Sequence, residues 1–160
     1  MLRATCTALL LLLFGCSPFP KDSEQTLQQV TTNKILKVGV IEHKPWVFRH
    51  NEEVQGIEIK IITEFAKSLN VEPQWYFYPE SVAIQKLEEN KINIVVGGLT
   101  EVTPWKQLIA LTRPYLKIDK SKKTHHVIAV LKGENQFMVT LEAFLKKHHE
   151  EINLYYQSTL

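Results

Sequence analysis

Short apolar runs alternate with amphipathic stretches between residues 35 and 96. Residues 35–41 form the first run, which is rich in β-branched residues and ends before Pro45, as a buried strand does. Apolar positions from Ile57 to Leu69 then fall on one face of a helix, which Asn70 ends. The pattern continues with an extended aromatic stretch at 74–78, a helix that starts near Ser81 and a buried strand at 92–96.

This alternation predicts an α/β fold. Short links between strands and helices favour a mostly parallel sheet, joined by right-handed crossovers and covered by helices on both faces. Beyond Gly98 the alternation is less regular, and the sequence predicts a helical turn, a short strand at 108–111 and a lysine-rich loop at 118–124. A strand at 127–130 and a final helix over about 135–148 complete the predicted elements.

The first 15 residues have the order of an export signal. A basic start at Arg3 precedes an apolar core from Ala8 to Phe14, and a polar stretch broken by prolines follows. The apolar core is far shorter than the ~20 residues of a membrane-spanning helix, so a transmembrane anchor is the weaker interpretation.

Leu13-Phe14-Gly15-Cys16 resembles the lipobox of bacterial lipoproteins, although Phe14 is bulkier than usual at its position. The resemblance implies that residues 1–15 are a lipoprotein signal peptide and that the thiol of Cys16 carries diacylglycerol. It also implies export to the periplasm or cell surface and anchoring to a membrane. The other cysteine, Cys6, leaves with the signal, so no disulfide is expected.

Removing the signal from the 160-residue chain leaves 145 residues, enough for one domain with a real core. Residues 16–33 are rich in Gln, Thr and Ser and predict a polar tether. We expect one α/β lobe over residues 34–150 and a C-terminal tail over residues 151–160.

Charge and motifs exclude several classes of function. Nineteen Lys and Arg against 17 Asp and Glu give a net charge of +2 with both signs interspersed, which argues against nucleic acid as a partner. His125-His126 and the run from His148 to Glu151 carry zinc-ligand residue types. Neighbouring residues point in different directions, however, so solvated side chains are the simpler interpretation. No nucleophile elbow, phosphate loop or paired-cysteine motif occurs, and we expect no cofactor, no metal and no enzyme.

Five short segments follow a recognisable order along the chain. They are Leu36-Lys37-Val38-Gly39-Val40, Pro45-Trp46-Val47-Phe48, Gly56-Ile57-Glu58, Gly97-Gly98-Leu99-Thr100 and Pro114-Tyr115. As an ordered set they resemble the family 3 extracellular solute-binding proteins, which are periplasmic receptors, often for polar amino acids, that serve ABC importers. The resemblance runs from about Asn33 to Tyr115.

The resemblance also implies an unusual domain content. In the family, two α/β lobes close on a ligand, and lobe one combines the first part of the chain with a late segment. Here only eleven residues separate Tyr115 from Val127, where the family places a whole second lobe. We therefore expect lobe one alone, with a first segment at 34–116 joined to a returning strand and helix at 125–149. The rival interpretation is that residues 127–130 begin a second lobe and that the chain stops early.

Candidate ligand-binding residues lie in the loops after strands one and three, because open α/β sheets bind ligands at the carboxyl ends of their strands. By resemblance, Glu42 meets a ligand ammonium group and Trp46 packs on the ligand, while the segment from Gly98 to Thr100 offers hydrogen bonds. The alternatives are that Glu42 is a solvated loop charge, that Trp46 is a core residue, and that Gly97-Gly98 forms a tight turn.

Lys106 stands where the family has a carboxylate-binding arginine after a Thr-Pro pair, here Thr103-Pro104. A lysine lacks the rigid two-donor geometry of arginine, which argues against family-like recognition of an amino-acid α-carboxylate. Arg113 is an alternative, although a surface or hinge position is favoured. Lys60 and Asn93 also replace acids that are common in the family.

Together these features favour a lipid-anchored solute-binding or transport-accessory protein of the envelope, for a polar amino acid or similar small solute. One lobe buries little of a ligand, so we expect binding no tighter than about mM, or ~4 kcal/mol, unless another chain covers the site. The implied partners are the solute, a membrane through the lipid, and an ABC permease or second protein chain. The alternatives are a protein interaction module, favoured by an exposed apolar patch around Trp46 and Trp105, and a decayed receptor that binds nothing.

Overall fold

A five-stranded sheet with helices on both faces forms the centre of the computed structural model, which describes residues 22–51, 53–120 and 122–159. The elements within these residues are α1 (Thr26–Asn33), β1 (Ile35–Val40), β2 (Phe48–His50), β3 (Glu53–Gln55), α2 (Ile57–Ser68), β4 (Glu72–Phe77), α3 (Glu80–Glu88), β5 (Ile94–Val96), β6 (Ala110–Leu111), β7 (Leu116–Lys117), β8 (His125–His126), β9 (Ala129–Val130), α4 (Asn135–Lys147) and α5 (His149–Gln157).

The strand order in the central sheet is β4-β1-β5-β9-β6. β1 pairs in parallel with β4 and β5, so that Val38 lies opposite Trp75 on one side and Ile94 on the other. β9 is antiparallel to both β5 and β6. The helices α2 and α3 connect the three parallel strands, which confirms the predicted α/β class with a mainly parallel sheet.

Alternate strand residues point into two cores on opposite faces of the sheet. Ile94 and Val96 belong to the larger core, where Phe65 of α2 packs against Phe137 and Phe144 of α4 at centroid distances of 6.1 and 5.4 Å. The smaller core, beneath α3, consists of Ala83, Ile84, Leu87, Ile92, Val95, Leu99, Ile109, Val127 and Ala129. Both faces are therefore buried, which is why the strands read as continuous apolar runs.

The late strand β9 lies in the same sheet as the first strands of the chain. Ala129 pairs with Val95, and Val130 pairs with Ile94. The preceding strands β7 and β8 form a hairpin, with Leu116 opposite His126. Residues 127–130 therefore return to the sheet, as the single-lobe interpretation predicts, and the rival interpretation of a strand that leaves for a second lobe is wrong.

Residues 22–33 are packed against the domain, so the predicted tether is wrong for this part of residues 16–33. Asp22 accepts hydrogen bonds from the backbone amides of Gln136 and Phe137 at the start of α4. In return, the carboxylate of Glu134 accepts hydrogen bonds from the backbone amides of Glu24 and Thr26 at the start of α1, with N–O distances of 2.7 and 2.8 Å. The two helices thus cap each other, and this reciprocal capping stabilises α1, in which Val30 is the one buried apolar residue.

The predicted C-terminal tail at 151–160 is also wrong for the residues that the structure describes. α5 extends to Gln157, and its Ile152 is 1% exposed. Tyr156 of this helix stacks on Trp46 with a centroid distance of 5.9 Å. Aromatic packing fixes a helix that has few apolar positions.

The described residues contain no helix with the length and hydropathy needed to cross a membrane. The predicted signal peptide at 1–15 and the predicted lipidation site Cys16 lie outside the described residues.

Candidate functional site

A depression of about 480 Å³ lies at the carboxyl edge of the sheet, beyond the ends of β1 and β5. Its lining residues are Ile41, Glu42, His43, Glu80, Gly97, Gly98, Leu99, Thr100, Val102, Thr103 and Pro104. This is the edge at which open α/β sheets bind ligands. Three of the predicted ligand-binding residues, Glu42, Gly98 and Thr100, line it, whereas Trp46 and Lys106 do not.

Other depressions exist on the surface, but they lie away from this edge. One of about 450 Å³ lies between α2, the β2–β3 hairpin and the end of α5, and another of about 670 Å³ lies between the loop at Arg113 and α4. We take the depression at the carboxyl edge, called the cleft below, as the candidate site because strand ends and loops converge there.

A buried carboxylate holds the floor of the cleft in place. Glu58, on the first turn of α2, is fully buried, and its Oε2 accepts hydrogen bonds from the amides of Gly97 and Gly98 at 2.6 and 3.0 Å. The hydroxyl of Tyr115 donates to its Oε1 at 2.6 Å. Burial raises the pKa of the Glu58 carboxyl, and these three hydrogen bonds offset part of that rise. In the sequence, Glu58 stands out only as part of the Gly56-Ile57-Glu58 segment, which gives no sign of this role.

The turn at Gly98 accepts only a residue without a side chain. Its φ is +74°, and a Cβ there would lie 2.3 Å from Cδ1 of Trp46. Trp46 itself is 4% exposed, with the ring of His126 at 3.7 Å on one side and Tyr156 nearby. Trp46 therefore supports the turn from behind, and its predicted contact with a ligand does not fit this geometry.

Acidic side chains dominate the charged groups of the cleft. Glu42 is exposed in the loop after β1, where its Oε1 accepts a hydrogen bond from the amide of Arg49 at 3.1 Å. Glu80 begins α3 just beyond β4, and its Oε1 accepts a hydrogen bond from Nε1 of Trp105 at 2.7 Å. Among the described residues that line the cleft there is no lysine or arginine. Glu80 was not predicted, although its place directly after a parallel strand is the signal that could have found it.

The two basic residues considered for carboxylate binding lie elsewhere. Lys106 is exposed on the 3₁₀ turn Pro104–Gln107 and lies outside the lining of the cleft. Arg113 has a side chain that is 88% exposed and pairs with Glu142, its Nε lying 3.6 Å from Oε2. The structure thus brings the predicted acid, glycine and threonine together at the cleft and leaves the predicted base outside it.

The histidine pairs take part in local contacts. Nδ1 of His125 lies 2.7 Å from Glu101, and Nδ1 of His148 lies 3.0 Å from Glu151. Burial against Trp46 lowers the pKa of His126 to about 4, because a charged imidazole would lose its hydration there. No group of three or more potential His, Cys, Asp or Glu metal ligands occurs within residues 22–51, 53–120 and 122–159.

A single α/β lobe with a cleft at the carboxyl edge of its parallel strands has the architecture of a ligand-binding domain. Residues 36–156 match the model of the bacterial extracellular solute-binding proteins, family 3. The chain therefore belongs to that family, as the ordered segments predicted.

A curated relative and several solved structures are similar to this chain. The probable histidine-binding protein of Campylobacter jejuni subsp. jejuni is 26% identical over 96 residues, which cover 59% of this chain and 38% of that protein. A mutant of the arginine-bound form of domain 1 from TmArgBP matches with a TM-score of 0.71 and 21% identity, covering 78% of this chain and 98% of the other. An ancestral cationic amino acid solute-binding protein, AncCDT-1, matches with a TM-score of 0.73 and 16% identity, covering 84% and 99%. At these identities the solved structures show the fold.

Proposed function

We propose that this lobe binds a small solute of the polar amino-acid class through its cationic group, in the cleft. The observation that carries the proposal is the charge of the lining, where Glu42 and Glu80 are not accompanied by lysine or arginine. Carboxylates form charge-assisted hydrogen bonds with ammonium and guanidinium groups. The names of the similar proteins, which refer to histidine, arginine and cationic amino acids, support the same class of solute.

The cleft offers few donors for an α-carboxylate. The amides of Gly97 and Gly98 already donate to Glu58, so they are not available to a ligand anion. Lys106 lies outside the lining, and the guanidinium of Arg113 is paired with Glu142. One lobe therefore holds the cationic end of an amino acid and leaves its carboxylate to water or to another chain.

The open geometry sets the strength of binding. Two-lobed receptors bury most of the ligand surface, and exclusion of water strengthens each polar contact. A single exposed cleft leaves both carboxylates hydrated, so we expect a Kd of about 1 mM, or ~4 kcal/mol.

Carboxylate substitutions test this binding mode. NMR titrations of the Glu42→Gln and Glu80→Gln variants with arginine are expected to give Kd values about tenfold weaker than the wild type, or ~1.4 kcal/mol each. Glu88→Gln is the matched control, because Glu88 is exposed on α3 away from the cleft lining. Equal Kd values for all four proteins would contradict the proposal.

We also propose that the protein is held at a membrane of the envelope through lipid on Cys16, and that it supplies solute to a permease or acts as an accessory to transport. The support is the order of residues 1–16 together with the extracellular character of the family. Mass spectrometry of the membrane fraction is expected to find a mature chain that begins at a diacylglycerol-modified Cys16. An unmodified Cys16, or a mature chain without it, would refute the anchor.

The interaction module is less well supported. An exposed apolar patch around Trp46 and Trp105 was its expected signature, but Trp46 is 4% exposed and Trp105 is half-buried, with its Nε1 bonded to Glu80. The cleft instead has the carboxylates of Glu42 and Glu80 in its lining, which favours a small cationic ligand.

A further inference from the structure

The β7–β8 hairpin, described over residues 116–120 and 122–126, carries lysines that the proposed function does not use. The sequence places four lysines there, Lys117, Lys120, Lys122 and Lys123. Both Lys117 and Lys120 are exposed, and between them lie Ile118, which is 41% exposed, and the exposed acid Asp119, so lysines outnumber acids here. The hairpin therefore presents positive charge and an apolar side chain to solvent.

This hairpin stands at the rim of the cleft. His126 of β8 forms an antiparallel bridge with Thr100, and the carbonyl of His125 accepts a hydrogen bond from the amide of Glu101 at 3.1 Å. Val102, which lines the cleft, is 48% exposed. A basic hairpin and an acidic cleft thus lie side by side on one edge of the lobe, each with an exposed apolar residue.

We propose that two copies of this chain associate edge to edge, so that the basic hairpin of each covers the acidic cleft of the other. A two-fold axis that passes between hairpin and cleft places the hairpin of each copy against the cleft of the other, so the same contact forms twice, as an isologous interface requires. Lys117 and Lys120 of one copy then face Glu42 and Glu80 of its partner, and Ile118 meets Val102. The second copy thus covers the cleft to which the proposed function assigns the solute, and the interface itself rests on the charge and exposure of these residues alone.

Charge complementarity makes the expected association dependent on salt. Exposed charges are screened over about 10 Å at 0.1 M ionic strength and over about 3 Å at 1 M. The contact is confined to one edge of a small lobe, so we expect a weak dimer that forms at low salt and dissociates at high salt.

A charge-swap experiment tests the proposal. Sedimentation velocity of the full chain is expected to show self-association that weakens about tenfold between roughly 50 and 500 mM NaCl. The variants Lys117→Glu/Lys120→Glu and Glu42→Lys/Glu80→Lys are each expected to be monomeric, because like charges then face each other. An equimolar mixture of the two variants is expected to dimerise again, since each altered hairpin meets an oppositely charged cleft.

The matched control for the hairpin variant is Lys67→Glu/Lys91→Glu, which lowers the net charge by the same amount as Lys117→Glu/Lys120→Glu. Its exposed positions lie outside the cleft and the hairpin, so it should dimerise like the wild type. Recovery in the mixture also shows that both variants fold. A wild type that stays monomeric, charge-reversed variants that still dimerise, or a mixture that stays monomeric would each overturn the proposal. So would a hairpin that binds anionic phosphatidylglycerol vesicles while the protein remains monomeric.

Solute binding is measured separately in the same samples. A wild-type protein that stays monomeric at low salt and binds arginine refutes the dimer and leaves the proposed function standing. A dimer that binds no arginine refutes the proposed function and leaves the interface standing.

Discussion

Glu58 is a buried acid that holds the turn at the floor of the cleft in place. A carboxylate beneath the turn at Gly97 and Gly98 takes both amides, and the hydroxyl of Tyr115 satisfies its other oxygen. Full burial is tolerated because each of these polar groups has a partner. The same arrangement occupies the amide hydrogens of Gly97 and Gly98, so in the proposed binding mode Glu58 disfavours an anionic group in the cleft without contacting the solute.

Glu58→Ala is expected to lower the free energy of unfolding by about 2–4 kcal/mol, because two buried amides and a buried hydroxyl lose their acceptor. Glu58→Gln keeps one carbonyl oxygen and should cost less. Urea denaturation at neutral pH measures both, with exposed Glu88→Ala as the control, for which a change within about 0.5 kcal/mol is expected. A cost for Glu58→Ala no larger than that of Glu88→Ala would contradict the role assigned to this network.

His126 makes stability depend on pH. Its pKa is about 4 in the folded protein and 6.5 in an unperturbed chain, so between these values the unfolded state binds more protons. Stability should therefore fall as pH decreases from about 6.5 to 4, by an amount on the order of 2 kcal/mol. The raised pKa of Glu58 acts with the opposite sign, because its contribution is lost as pH rises through the folded pKa.

His126→Phe keeps an aromatic ring against Trp46 and removes the titrating group. Urea midpoints at pH 7 and pH 5 should differ less for this variant than for the wild type. If the two proteins lose equal stability on acidification, the loss comes from other groups and the interpretation of His126 is wrong.

At the scale of secondary-structure elements, apolar periodicity predicted the helices that bury a continuous apolar face. The helix expected over 57–69 is α2, Ile57–Ser68, and the helix expected over about 135–148 is α4, Asn135–Lys147. The periodicity failed for α1 and α5, which are held by long-range capping and by aromatic stacking. Partners such as Glu134, more than 100 residues away from α1, leave no local pattern in the sequence.

Asp22→Ala is expected to lower the free energy of unfolding by about 1–2 kcal/mol, because the amides of Gln136 and Phe137 lose their cap. Asp22→Asn keeps one acceptor oxygen and should cost less. Urea denaturation measures the free energy of unfolding of each variant. Hydrogen exchange shows whether the amides at the start of α4 are the first to lose protection. Unchanged exchange of the Phe137 amide in Asp22→Ala would contradict the capping role.

At the scale of the whole molecule, the ordered segments and the eleven-residue link between Tyr115 and Val127 predicted one lobe of a two-lobed family. Of the predicted site residues, Glu42, Gly98 and Thr100 line the cleft; strand ends, visible as the ends of apolar runs, indicated their loops, and the family resemblance supplied their roles. It missed Glu80 as a lining residue, and it placed Trp46 and Lys106 at the ligand. The direction of a side chain in a loop depends on packing partners far along the chain, as the contacts of Trp46 with His126 and Tyr156 show.

An NMR titration that compares arginine with agmatine, its decarboxylated analogue, tests most directly whether the lobe holds the cationic end of its solute. The account predicts that both compounds shift the backbone amides of Gly98 and Thr100, with Kd values within about threefold of each other near 1 mM. Glutamate should leave these amides unmoved. Binding of arginine without binding of agmatine, or shifts confined to residues outside the cleft, would contradict the account.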